Sequence, residues 1–173
     1  MVDLLPTIRR LFPSNDIELK VLDVGPRTGA GSALLAQLHD PRSRGKLKMR
    51  VTAMDINPRY AKYARYRFPQ IDYKVGNIFD TKETYDLVIC SHVIEHMNSA
   101  LQFVNRLVEL ARSFVVVACP WKEPPERFGT GHIWSVTEEF IDNFDIVDKT
   151  VYEGVFYKRG SELIIFAIPG SAE

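Results

Sequence analysis

Three short stretches of this chain combine residue types that do chemistry. The first is Asp23-Val24-Gly25-Pro26-Arg27-Thr28-Gly29-Ala30-Gly31-Ser32. Glycines at 25, 29 and 31 supply backbone that takes positive φ and approaches a ligand with no Cβ in the way. The helix expected over Ser32 to Leu38 would start just behind this turn, offering free N–H groups and a partial positive charge to an anionic part of a ligand. The second stretch is Val51-Thr52-Ala53-Met54-Asp55, an apolar strand with a carboxylate at its end. The third is His92-Val93-Ile94-Glu95-His96. On a helix, positions i, i+3 and i+4 share one face. Imidazole moves protons near neutral pH, and together with a carboxylate it can ligate a metal.

The spacing excludes several readings. A triphosphate-cradling loop needs Lys before the Ser/Thr, and Gly31 stands there. The dinucleotide pattern G-x-G-x-x-G has Leu34 in place of its last glycine. H-x-x-E-H is a zinc-peptidase spacing only inside a helix, and here it straddles a strand end and a helix start. What the first stretch does resemble is motif I of the class I S-adenosylmethionine-dependent methyltransferases, in its extended form D-x-G-x-G-T-G-x-G. Asp23, Gly25, Gly29 and Gly31 fit, and Arg27 stands where that form has its middle glycine. Tyr85-Asp86-Leu87-Val88, followed by His92-Val93-Ile94-Glu95-His96, resembles motif IV of many small-molecule members.

The resemblance implies a set of roles. S-adenosyl-L-methionine would be the methyl donor and S-adenosyl-L-homocysteine the product. Asp23, Gly25, Pro26, Arg27, Thr28 and Gly29 would form the turn under its methionine end, with Arg27 in reach of the carboxylate. Asp55 would take the ribose and Asn77 with Ile78 the adenine, and Ile56, Ser91 and His92 are further candidate cofactor contacts. Asn77 replaces the family's usual Asp, so its amide oxygen would accept without charge. His92 and His96 are the candidate general bases; alternatively, His96 hydrogen-bonds a backbone carbonyl and only holds the loop. No metal is expected, although small-RNA 2′-O-methyltransferases bind a divalent ion at this place. Glu95, His96 and His132 would hold one, with His92 standing where that group has a carboxylate. A degenerate, non-catalytic binding module is the other alternative.

The elements that must position these residues read as an α/β chain. The resemblance implies a Rossmann-like three-layer sandwich, with a mostly parallel seven-stranded sheet and an antiparallel last strand. It covers roughly residues 20 to 168 of a single domain, 1–173, with 1–19 as a short N-terminal cap that includes a helix over Leu4 to Phe12. Strands are expected at Val21–Val24, Val51–Asp55, Ile71–Val75, Tyr85–Cys90 and Phe114–Cys119, with a final pair at Asp145–Phe156 and Glu162–Ile168. Helices are expected from Pro58 to Phe68, from Ser99 to Arg112, and to about Phe144 behind a cap at Ser135 or Thr137. His39 to Arg50 reads as a solvated basic loop, in which Arg42, Arg44, Lys46, Lys48 and Arg50 could also meet a phosphate. Lys122 to Gly131, rich in Pro and Gly, reads as a long loop over the mouth of the site.

Lys and Arg total 22, Asp and Glu 22, and the formal net charge is zero, which provides no field for a nucleic acid or an anionic membrane. The chain carries no bilayer-length apolar run and no recognisable signal peptide. Its two cysteines sit in apolar runs and suit the core. The expectation is a cytoplasmic protein with a small-molecule methyl acceptor, an inference that Trp121 and Trp134 in an apolar C-terminal region favour mildly. Oligomeric state is open.

Overall fold

The computed structural model describes residues 1–13, 17–37, 47–128, 131–154 and 160–173. Seven strands form one sheet: β1 (Glu18–Val24), β2 (Lys48–Asp55), β3 (Asp72–Val75), β4 (Tyr85–Ser91), β5 (Ala111–Trp121), β6 (Asp148–Glu153) and β7 (Glu162–Pro169). Their order is β3-β2-β1-β4-β5-β7-β6. Pairing is parallel from β3 across to β5, and β7 runs antiparallel to both its neighbours. The helices are α1 (Leu5–Leu11), α2 (Ala30–Gln37), α3 (Ala61–Arg67), α4 (Ala100–Leu110) and α5 (Glu138–Ile141). This is the expected three-layer sandwich.

Period-two side-chain alternation builds both faces at once. Leu22, Val88, Cys90, Val115 and Val117 point to the layer holding Phe103, Val104 and Leu107 of α4 and Ile141 of α5. Val21, Leu87, Ile89, Val116 and Ala118 point the other way, onto Ile8 of α1, Leu35 of α2 and Ala64 of α3. Cys90 and Cys119 are buried free thiols. Chain order reverses between β1 and β4. The crevice outside the carboxyl ends of the strands at such a reversal is where open α/β sheets bind ligands.

Several boundaries differ from expectation. β2 begins at Lys48 because the β1 register continues outward to Glu18↔Lys48. Lys48 and Arg50 are therefore exposed strand residues, and Arg50 pairs with Glu18 at 3.3 Å. Arg42, Arg44 and Lys46 lie outside the described residues. α4 stops at Leu110, since Ala111 already pairs with Tyr85, and Arg112 leaves the helix to bind Asp86 at 2.6 Å. Pro58–Tyr60 is a 3-10 turn ahead of α3. α5 is a single turn: Thr137 holds its N-cap position without a capping bond, and Ser135 Oγ is buried with no partner. β6 starts at Asp148, and most of the expected hairpin connection lies outside the described residues. The N-terminal segment packs against the sheet. Leu4 and Ile8 are buried in the core, and Arg10 ties α1 to Asp148 at the far sheet edge.

Candidate active site

The turn after β1 has a demanding backbone. Gly25, Arg27 and Gly29 have φ of 72°, 51° and 78°, so alternate residues take the left-handed region. Arg27, at the expected glycine position, adopts the glycine conformation at a cost of about 1–2 kcal/mol. Its neighbours hold it there: its N–H donates to Asp55 Oδ2 at 2.9 Å, and its carbonyl accepts from Tyr73 Oη at 2.6 Å. Burial and the Asp55 charge push the Tyr73 phenol up to about 12, so it stays a donor. At Gly25, a Cβ would fall 2.5 Å from Val93 Cγ2.

A cavity of about 920 Å³ opens at the carboxyl ends of β1, β2 and β4. It draws together Gly25, Arg27, Asp55, Ile56, Asn77, Ile78, Ser91 and His92 from the sequence expectation, with Glu95, His96 and His132. Asp23, Pro26, Thr28 and Gly29 lie off its wall. Asp23 is 1% exposed and turned toward α2, where Ser32 Oγ donates to it at 2.5 Å. Burial pushes its carboxyl up to about 7. Asp55 is buried on the wall, its oxygens accepting from the N–H groups of Arg27 (2.9 Å) and Asn57 (2.8 Å). Four lone pairs minus two bonds leave acceptor capacity toward the cavity. Asn77 Oδ1 accepts from Phe79 N–H at 3.1 Å, closing the turn in which Ile78 sits.

The His92–His96 stretch is not an α-helix. His92, directly after β4, has φ of 57°, and a 3-10 turn follows over Ile94–His96. The expected common helical face is therefore absent, because the backbone of His92 is left-handed. His92 Nδ1 lies 3.3 Å from Oε1 of Glu95, which is 1% exposed. His96 Nδ1 donates to Gly131 O at 2.8 Å, tying the 3-10 turn to the 122–131 loop. Ile133 N–H donates to Glu95 O and Trp134 Nε1–H to Ile94 O, both at 3.0 Å, so the turn and the segment after the loop form one unit. Neither Trp121 nor Trp134 lines the cavity.

Two contributors had no signal in the sequence. Arg106, on α4, donates through Nε to Ile78 O (3.1 Å) and through a terminal nitrogen to Thr81 O (2.5 Å), supporting the 77–81 segment from below. Glu123 is buried and accepts from His132 Nδ1 at 2.5 Å.

Among protein families, the one described as "Methyltransferase domain" matches residues 22–116. A ubiquinone biosynthesis O-methyltransferase of Rickettsia conorii is 35% identical over 100 residues, which are 56% of this chain and 32% of that protein. The chain thus spans about a third of that relative. Magnesium protoporphyrin IX methyltransferase from Synechocystis PCC 6803, solved with bound SAH, superposes with a TM-score of 0.74 at 20% identity, covering 98% of this chain and 82% of that one. The [4+2]-cyclase SpnF gives 0.71 at 13% identity, covering 99% and 81%. At these identities the structural likeness establishes the fold and no particular reaction. Among the described residues, no helix is long and apolar enough to cross a membrane.

Proposed function

The chain belongs to the methyltransferase-domain family, and from that premise we propose that it transfers the methyl group of S-adenosylmethionine to an oxygen or nitrogen of a small molecule. The observation that carries this reading is Asp55: a buried carboxylate held rigid by two backbone N–H groups, with spare acceptor capacity, on the wall of a cavity shared with the glycine turn. That is what a vicinal diol such as ribose requires. Met54 and Ile78 add apolar wall beside it for a purine face. The fit is therefore good on chemistry: an acceptor for hydroxyls, apolar surface for a base, and an exposed guanidinium at Arg27 for a carboxylate. A volume of about 920 Å³ suits a small-molecule site, whose typical range is roughly 300–1,000 Å³.

When bound, S-adenosylmethionine supplies an electrophilic methyl on a sulfonium centre. The chain's own work is alignment and proton removal. His92 is the base in this reading: it follows β4 on the cavity wall, with Oε1 of buried Glu95 3.3 Å from its Nδ1, and Nε2 takes the acceptor's proton. His96 is the weaker candidate, because its Nδ1 already secures the loop. Arg106 and Tyr73 position rather than react, one supporting the Ile78 turn and the other fixing the Arg27 peptide.

Titration calorimetry with S-adenosylhomocysteine tests the reading. Wild-type protein should bind, and Asp55→Ala should bind more than tenfold more weakly, since hydrogen bonds to a charged acceptor are worth about 1.5–3 kcal/mol each. Absence of heat with the wild type overturns it. A methyl-transfer screen on small hydroxyl and amine acceptors then separates an enzyme from a non-catalytic binding module.

A further inference from the structure

The geometry points to a docking surface outside the cavity: we propose that the outward face of α3 binds single-stranded nucleic acid, with Arg59, Lys62 and Arg67 on the phosphates and Tyr63 and Tyr66 stacked on bases. α3 lies on the sheet through Ala61 and Ala64, which are 6% and 0% exposed. At helical spacing, Lys62, Tyr63, Tyr66 and Arg67 then share the opposite side. Tyr63 is 51% exposed and Tyr66 87%. Lys62 and Arg67 flank them in solvent, and Arg59 is exposed in the 3-10 turn just ahead. No residue of α3 lines the cavity, so the inference stands apart from the methyl-transfer reading.

Charge gives the first argument for this occupant. Arg59, Lys62, Arg65 and Arg67 stand within one short segment that holds no acid. Among the described residues, Arg59, Lys62 and Arg67 form no ion pair. The Arg59 and Arg67 guanidiniums lie over the rings of Tyr60 and Phe68, 5.6 and 5.5 Å from the centroids. Arg65 differs, since its Nε donates to Tyr73 O at 3.1 Å. The acids on either side are engaged elsewhere: Asp55 accepts from two backbone N–H groups, and Asp72 pairs with Lys74 at 3.3 Å. The zero net charge conceals this surface because it averages over a polarised chain. Residues 1–80 hold 14 basic and 8 acidic side chains, whereas residues 81–173 hold 8 and 14. A local positive field is therefore present on α3, and it is the local field that a polyanion meets.

The tyrosines give the second argument, and they select among polyanions. The Tyr63 ring is braced edge-on against Phe68, with centroids 6.1 Å apart and planes at 85°, which leaves its own face for another ring. Unstacked bases lie on aromatic rings and guanidinium planes while Lys and Arg follow the backbone. A duplex keeps its bases stacked on one another and offers these rings nothing. An anionic bilayer rewards Trp, Phe or Leu inserted among its acyl chains, and the outward face of α3 carries none of them.

Fluorescence anisotropy with a labelled oligouridylate of about 12 nucleotides tests the surface. Wild type should bind in the micromolar range at about 50 mM salt, and log K should fall against log salt with a slope of about −2, from three phosphates at about 0.7 each. Joint Tyr63→Ala and Tyr66→Ala should weaken binding at least about tenfold, while heparin, a polyanion without bases, binds that protein and wild type alike. Joint Arg59→Gln, Lys62→Gln and Arg67→Gln should flatten the salt slope toward zero. Lys149→Gln, an exposed change on β6, should bind as wild type. All five α3-face side chains are exposed, so the variants should keep the wild-type circular dichroism. No binding by wild type at about 100 μM protein and low salt overturns the proposal. So does a wild-type affinity in the double tyrosine variant, or a duplex of equal length bound as tightly as the single strand. Binding to phosphatidylserine-containing vesicles without binding to the oligonucleotide makes the surface a membrane contact and refutes it as well.

Discussion

Asp23→Asn should remove a specific pH dependence from the stability of this fold. Asp23 sits at 1% exposure between β1 and α2, with the Ser32 hydroxyl donating to it at 2.5 Å. Burial disfavours its charged form and pushes the carboxyl up to about 7. The folded chain therefore holds a proton that the unfolded chain releases near pH 4. The sign follows: the contribution to stability is complete below about pH 4 and is lost as pH rises toward 7. Roughly three pH units at about 1.4 kcal/mol each give a swing of about 4 kcal/mol, flat above pH 7. Asn mimics the protonated acid in shape and does not titrate. Urea unfolding of wild type and Asp23→Asn, followed by circular dichroism at intervals from pH 4.5 to 8, isolates the effect, because other titrating groups cancel in the difference. The variant should gain on the wild type by about 2–4 kcal/mol across that range. A difference that stays constant within about 0.5 kcal/mol means Asp23 is charged in the folded protein, and the burial argument fails.

Three further outcomes rest on the same geometry. Gly25→Ala combines a left-handed φ with a Cβ placed 2.5 Å from Val93 Cγ2; it should cost about 2–4 kcal/mol in urea unfolding, from the φ penalty and the overpacking together. Arg27→Gly relieves backbone strain while loosening the unfolded chain, so stability should stay within about 1 kcal/mol. Calorimetry should nonetheless show several-fold weaker S-adenosylhomocysteine binding if the guanidinium holds the carboxylate. Arg106→Ala leaves the Ile78 and Thr81 carbonyls without their donor; an affinity loss for the same compound, from a residue that lines no part of the cavity, is the expected calorimetric signature of a positioning role.

The layers of this protein were legible in its residue pattern. Near-continuous apolar runs such as Val21–Val24 and Phe114–Cys119 specify doubly covered strands, and the glycine spacing at 25, 29 and 31 marks a turn of fixed backbone. Both are local properties, carried by side-chain period and by φ preference over a few residues. Arg27 shows where local reading stops: its side chain predicts nothing about a positive φ, which is imposed by Asp55 and Tyr73 from two other strands. The same limit applies to the histidine cluster. The spacing His92, Glu95, His96 suggested one helical face, yet a left-handed residue after the strand breaks that face; His92 stays 3.3 Å from Glu95, and His132 packs against the His96 ring. Glu123 and Arg106 take their meaning only from what is folded against them. Sequence determined the sheet, its faces and the acid at a strand tip, because those follow from neighbours along the chain. Which imidazoles meet which carboxylates depends on loop closure between distant segments, and that was decided in three dimensions.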